Sequence, residues 1–238
     1  MTYEEFIKNM LGNYANFTAF TEGAAFNAHS LATKQDGVIT NQTGGLFLFL
    51  RPHQDITEIV GQVSREISEM LGVDNMMMYG EGIAHATVFV AKQGPNYDAK
   101  KDKEFSSLKG KLSLVCQKMV TGTKMKKCPA ADCTLGFAFN ETTTILRGKP
   151  NIEFFKMTEA AVNHATELGL KVSMPWGAHI TVGRFANHVD TTKVQEVARL
   201  LRSKTFSEGL MPYVEVCTGH YQTEGLSFKI ERIDRHQI

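Results

Sequence analysis

His85-Ala86-Thr87-Val88-Phe89-Val90-Ala91 is answered, 94 positions later, by His179-Ile180-Thr181-Val182-Gly183-Arg184-Phe185, and these two stretches decide the fold. Each sets a His-x-Thr triplet in a β-branched, apolar run. In a strand, residues i and i+2 project from one face, so each histidine and its threonine would point the same way. A third triplet, His164-Ala165-Thr166, lies in sequence of helical spacing, where i and i+2 diverge, and is a chance match. Eight histidines yield roughly one His-x-Ser/Thr by chance, and roughly 0.2 once apolar residues must fill the intervening and following positions. Two such matches in equivalent surroundings stand well above that level.

Outward from the triplets, the chain repeats itself. Leu46 to Leu50, LFLFL, is a short apolar run stopped by Arg51-Pro52, as a buried strand would be. Ile56, Ile59, Val60, Val63, Ile67, Met70 and Leu71 then follow helical spacing up to Gly72, before the first His-x-Thr strand. In the second half, CTLGFAF (Cys133 to Phe139) and TTTIL (Thr142 to Leu146) read as strands. A helix capped by Asn151 runs to about Leu168, and the second triplet opens a strand after Pro175-Trp176-Gly177. Strand, helix, His-x-Thr strand in both halves predicts an internal duplication. A helix through Val194, Val197, Ala198 and Leu201 and two strands, YVEVC and LSFKIERI, complete the chain. Residues 1–45 are expected to form an extension packed on the body, with a short helix over Tyr3 to Ala15. A two-lobed domain over 46–238, with its lobe boundary near 94–111, is expected to follow.

Composition excludes several classes. With 42% hydrophobic and 21% charged residues the chain is not a disordered tail. No apolar run approaches the roughly 20 residues of a membrane span. The acidic opening MTYEEFIKNM lacks the basic and apolar regions of a signal peptide, so an intracellular, cytoplasmic protein is expected. Cys116, Cys128, Cys133 and Cys217 make neither CxxC pairs nor a disulfide framework, and free thiols are expected. The Asn-x-Thr triplets at Asn16, Asn41 and Asn140 then carry no glycan. The net charge of +1 conceals nine lysines against two acids between Lys100 and Lys127, which leaves −6 elsewhere. Such a stretch can attract phosphates but reads first as a solvated loop or linker.

Two imidazoles facing each other across a cleft can serve as general base and general acid, because an ordinary histidine titrates near working pH. A hydroxyl beside each can donate to a non-bridging phosphate oxygen and meet the charge that develops there. Such chemistry calls for no metal and no cofactor. At these residues the chain resembles the two-histidine (2H) phosphoesterase superfamily, whose hallmark is a pair of His-x-Thr/Ser-x strands. HITVGR is especially similar to the second motif of bacterial RNA 2′,3′-cyclic phosphodiesterases. The resemblance implies an α+β fold of two pseudo-symmetric lobes, each an antiparallel sheet with packed helices, around a central cleft. It also implies hydrolysis of phosphodiesters involving a ribose 2′-oxygen, in nucleotides or RNA, with His85, His179, Thr87 and Thr181 in the catalytic positions. Candidate substrates are 2′,3′-cyclic phosphates, 2′,5′-linked oligoadenylates and cyclic oligonucleotides. No membrane and no obligate protein partner is implied.

Weaker candidates surround the pair. Trp176 and Phe185 could stack a base and Arg184 could meet a phosphate, although Arg184 falls on the far face of a regular strand. Tyr97, Lys124, Lys126 and Lys127 could line an entrance. Gly44-Gly45 and Gly80-Glu81-Gly82 read as turns, and Met76-Met77-Met78 as a packed edge or a soft apolar lip. Two rival functions remain open at this point: a nucleotide- or RNA-binding protein without catalysis, and a metalloenzyme, for which no HExxH or similar cluster is present.

Overall fold

A computed structural model of the chain describes residues 1–17, 34–35, 38–39, 43–79, 81–95, 97–122, 128–189, 191–204, 208–211, 213–222 and 227–238. In chain order its elements are α1 (Tyr3–Tyr14), β1 (Lys34–Gln35), β2 (Val38–Ile39), β3 (Thr43–Arg51), α2 (Gln54–Leu71), β4 (Met76–Met78), β5 (Ala86–Pro95) and α3 (Phe105–Gly122). There follow β6 (Ala130–Asp132), β7 (Phe137–Phe139), β8 (Thr143–Leu146), β9 (Lys149–Pro150), α4 (Ile152–Glu167), β10 (Ile180–Phe185), α5 (Thr191–Ser203), β11 (Glu208–Leu210), β12 (Tyr213–Gln222) and β13 (Ser227–Gln237). The fold is α+β. Among the described residues no helix is long and apolar enough to cross a membrane.

Eight strands form one sheet in the order β5-β3-β12-β13-β4-β10-β8-β7. Two antiparallel four-stranded halves meet at its middle, where β13 and β4 run parallel and share the single pair Ser227–Met78. The halves of the sheet are not the halves of the chain. The C-terminal β12 and β13 complete the half that holds β3 and β5, while β4 from the first half joins β10, β8 and β7. α3 packs on β12 and β13, and α2 packs on β4 and β10, so each half has its own helical backing.

Period-two alternation places the core on one face of this sheet. Leu46, Leu48 and Leu50 of β3 join Ile56, Val60, Val63 and Ile67 of α2 and the inner faces of α3, α4 and α5 in one cluster. Phe47 and Phe49 turn to the other face with Met77, Tyr79 and Ala186. LFLFL is therefore two-sided, aliphatic toward the helices and aromatic away from them. Met76 and Met77 are fully buried and Met78 half-buried, which makes the methionine run a packed strand rather than a lip.

Three expectations change. The lysine-rich stretch read as a solvated loop holds helix α3, whose Leu112, Val115, Cys116 and Met119 are buried at helical spacing. CTLGFAF is not one strand: Cys133–Leu135 form a 3₁₀ turn and the strand begins at Phe137, because Gly136 at φ +65° breaks the extended run. Gly44 and Gly45 lie inside β3, paired with Gly94 and Gln93, not in a turn. Asn41 and Gln42 of the second Asn-x-Thr triplet, Thr18 of the first and the side chain of Cys217 lie outside the described residues.

Candidate active site

Both His-x-Thr triplets open strands, β5 and β10, and both strands carry the same irregularity. In β5 Phe49 pairs with Thr87 and Leu48 with Phe89, so Val88 is an extra residue. In β10 Ile145 pairs with Thr181 and Thr144 with Gly183, so Val182 is an extra residue. These two bulges each sit on the valine that follows the threonine, and β5 has a further one at Ala91. A bulge shifts the alternation by one residue, so the fifth residue after each histidine returns to the histidine's face. Val90 and Arg184 accordingly line the same cavity as the two triplets. The bulged carbonyl of Val182 is satisfied by the Ser64 hydroxyl of α2 at 2.8 Å and the Tyr79 amide at 3.1 Å.

The cavity has a volume of about 780 Å³, inside the range of ~300–1,000 Å³ usual for small-molecule sites. His85, Thr87, His179, Thr181 and Arg184 supply its polar groups, Phe47, Phe49, Tyr79, Val90 and Trp176 its apolar walls, and Lys171 and Ser173 belong to its exposed lip. His85 is 9% exposed. Its Nδ1–H donates to the carbonyl of Ile83 at 2.5 Å, which orients the ring at the mouth of its strand. Arg51 steadies the turn just before it, donating to the carbonyls of Ala84 at 2.7 Å and Gly82 at 3.3 Å. Each imidazole also lies on an aromatic ring: His85 on Phe49 and His179 on Trp176, both with centroids 3.7 Å apart.

Electrostatically the two histidines are held neutral. Burial pushes the pKa of His85 down to about 3; the Ile83 carbonyl opposes the shift, and the charges of Arg51 and Arg184 reinforce it. Burial likewise takes His179 to about 3, helped by Arg184 and by His85. Unfolding returns both toward the ordinary value of 6.5. The unfolded chain then binds more protons between 6.5 and about 3, so stability falls as the pH drops through that window and levels off below it. Melting curves across this range should show a steeper loss for the wild type than for His85→Ala/His179→Ala. Parallel curves would contradict the buried, neutral state.

Of the residues singled out in the sequence, the cavity gathers His85, Thr87, His179, Thr181, Trp176 and Arg184. Arg184 is on this face because of the bulge, contrary to the regular-strand expectation; its Nε–H donates to the Tyr79 hydroxyl at 3.1 Å, and its guanidinium lies over the Tyr79 ring. Phe185 is not a base platform: it is fully buried on the helical side of β10. Tyr97 is not among the lining residues and sits beside Asp102, where burial and that carboxylate push its pKa up to about 12. Trp176 lines the cavity but gives one face of its indole to His179. Lys124, Lys126 and Lys127 lie outside the described residues. Sequence reasoning missed Phe47, Phe49, Tyr79 and Lys171; the aliphatic–aromatic alternation of LFLFL was the available signal for the first two. Among the described residues, no three His, Cys, Asp or Glu side chains gather where they could hold a metal ion.

No family model matches the chain, and no curated protein matches its sequence. Solved structures do resemble it. The crystal structure of E. coli LigT complexed with 3′-AMP is 11% identical, with a TM-score of 0.42, over 83% of this chain and 98% of that one. A crystal structure described only as a phosphoesterase is 12% identical at a TM-score of 0.45, with the same coverage. The structure of Kluyveromyces marxianus Usb1 is 15% identical at a TM-score of 0.34, over 81% of this chain and 99% of that one. The chain is thus similar in outline to these three proteins over nearly their whole lengths, at identities that assign no chemistry to it.

Proposed function

We propose that the cavity is the active site of a metal-independent phosphodiesterase. Its substrates are esters of a ribose 2′-oxygen, with 2′,3′-cyclic phosphates of nucleotides or RNA ends first among them. The observation that carries this is the matched pair of bulged His-x-Thr strands facing one cavity from the two halves of the sheet. The neutral histidine takes a proton from water as the water oxygen bonds to phosphorus. The other takes up a proton when the bound anionic phosphate raises its pKa, and it gives that proton to the ribose oxygen as the P–O bond breaks. The hydroxyls of Thr87 and Thr181 donate to the non-bridging oxygens, and Arg184 offsets the charge gathered there. The Ile83 carbonyl on Nδ1 favours the imidazolium of His85, which suits it to hold the proton bound for the leaving oxygen. Among the described residues His179 has no acceptor at Nδ1, and the charge of Arg184 disfavours its imidazolium, which suits it to the neutral role.

The testing experiment offers 2′,3′-cyclic mononucleotides, a cyclic-phosphate-ended RNA, 2′,5′-linked adenylates and cyclic dinucleotides, each with and without a strong chelator. Turnover of the first two that survives chelation is expected. Activity abolished by chelator and restored by a metal would overturn the metal-free scheme. Turnover of the 2′,5′-linked or cyclic dinucleotide members alone would move the substrate assignment. No turnover of any member, with tight binding of one, would point to a binding protein.

A further inference from the structure

We propose that α1 is a brace for the second histidine: through Tyr14 it holds Trp176 in the stack that orients His179, which makes Tyr14 a positioning residue for the cavity. The two histidines are held by unequal means. His85 has both a backbone hydrogen bond to Ile83 and an aromatic ring beneath it. Among the described residues His179 has the ring alone: the indole of Trp176 lies 3.7 Å away at 21°, and the buried Nδ1 has no hydrogen-bond partner there. Whatever fixes Trp176 therefore fixes His179.

Trp176 belongs to the irregular segment between α4 and β10, and α1 meets it from several directions. The Tyr14 ring stands edge-on to the indole at 5.6 Å and 83°. Phe17, just past the helix, lies parallel to it at 6.0 Å. Asn13 donates from Nδ2 to the Trp176 carbonyl at 3.3 Å. The next residue, Gly177, is pressed so closely that a Cβ there would be 2.8 Å from Met10 Cγ and 3.3 Å from the Tyr14 hydroxyl. Tyr14 is itself pinned, since its hydroxyl donates to the Gly148 carbonyl at 2.9 Å and accepts from the Gly148 amide at 3.2 Å. Burial raises its pKa, so the hydroxyl keeps the proton it donates. The far end of α1 is capped by the Thr2–Glu5 box and anchored elsewhere by Tyr3, which donates to the Pro150 carbonyl at 2.7 Å.

Trp176 is the single tryptophan of the chain, so tryptophan emission reports on the surroundings of this indole. Tyr14→Ala, Tyr14→Phe and Asn13→Ala would be compared with Tyr3→Phe, which loosens the same helix without touching the indole. Circular dichroism would set the temperature at which all are folded. Acrylamide quenching of Trp176 in the substrate-free protein is expected to rise in Tyr14→Ala, less in Tyr14→Phe, and not in Tyr3→Phe. On the phosphodiesterase reading, kcat for a 2′,3′-cyclic nucleotide should fall about 10- to 100-fold in Tyr14→Ala with KM changed less than about twofold. Wild-type quenching in Tyr14→Ala, or an equal change in Tyr3→Phe, would overturn the brace. If Tyr14→Ala does not fold, the same readouts on Tyr14→Phe and Asn13→Ala decide. If the wild type turns over nothing, the phosphodiesterase reading fails, yet the emission measurements still judge the brace.

Discussion

His85→Ala and His179→Ala are each expected to lower turnover of a 2′,3′-cyclic phosphate by about 10²- to 10⁴-fold, the usual worth of a general acid or base. The double variant should lose little more than either single one, because two groups that act on one transition state fail together. Neither change should unfold the protein, since both rings face the cavity and neither anchors a strand. His85→Ala does release the Ile83 carbonyl, so its melting temperature needs to be measured beside its activity. A phosphate product should still bind, because Thr87, Thr181 and Arg184 remain. Either single variant turning over at the wild-type rate would sink the paired-histidine mechanism outright.

Arg184→Met ranks second. It removes a cation that lines the cavity and gives up the hydrogen bond to Tyr79 while keeping a long apolar side chain. A charged hydrogen bond to a phosphate oxygen contributes about 1.5–3 kcal/mol, so binding of a phosphate-bearing product should weaken by about 10- to 100-fold. There is a second signature. Arg184 lowers the pKa of both histidines, so its removal lets both rise. A base that must be neutral then protonates at a higher pH, and the acid limb of kcat/KM should move up rather than down. Arg184→Lys restores the charge without the planar fork and should recover the limb more fully than the affinity. Unchanged product binding in Arg184→Met, with an unmoved acid limb, would remove Arg184 from the site.

The histidine strands were legible from their β-branched, apolar runs, and α2, α4 and α5 from helical spacing, with Gly72 closing α2 and Asn151 opening α4 by accepting from the Phe154 amide. Arg184 was not, because period-two counting fails at a bulge, and Val88 and Val182 are ordinary strand residues that leave no mark of one. The same miscount hid Phe185, which lands on the helical side because the bulge at Val182 precedes it. α3 was misjudged for a different reason: Leu112, Val115 and Met119 follow helical spacing, but the surrounding lysines dominated the composition of the segment. The role of Trp176 was out of reach, because a ring stacked on His179 is a tertiary fact with no local signal.

The strand order also governs when the cavity can exist during synthesis. A growing chain releases β3 and β5 early, but the second edge of β3 waits for β12, where Arg51 meets Tyr213. β4 waits in the same way for β10 and for the single pair it makes with β13. Contacts of such long sequence separation form late and leave open hydrogen-bonding edges in the meantime, which are prone to wrong partners. Loss of the C-terminal hairpin would accordingly strand β3 with one bare edge and part the two halves of the sheet. The newly made polypeptide carries both histidines well before it has the enclosure that brings them together.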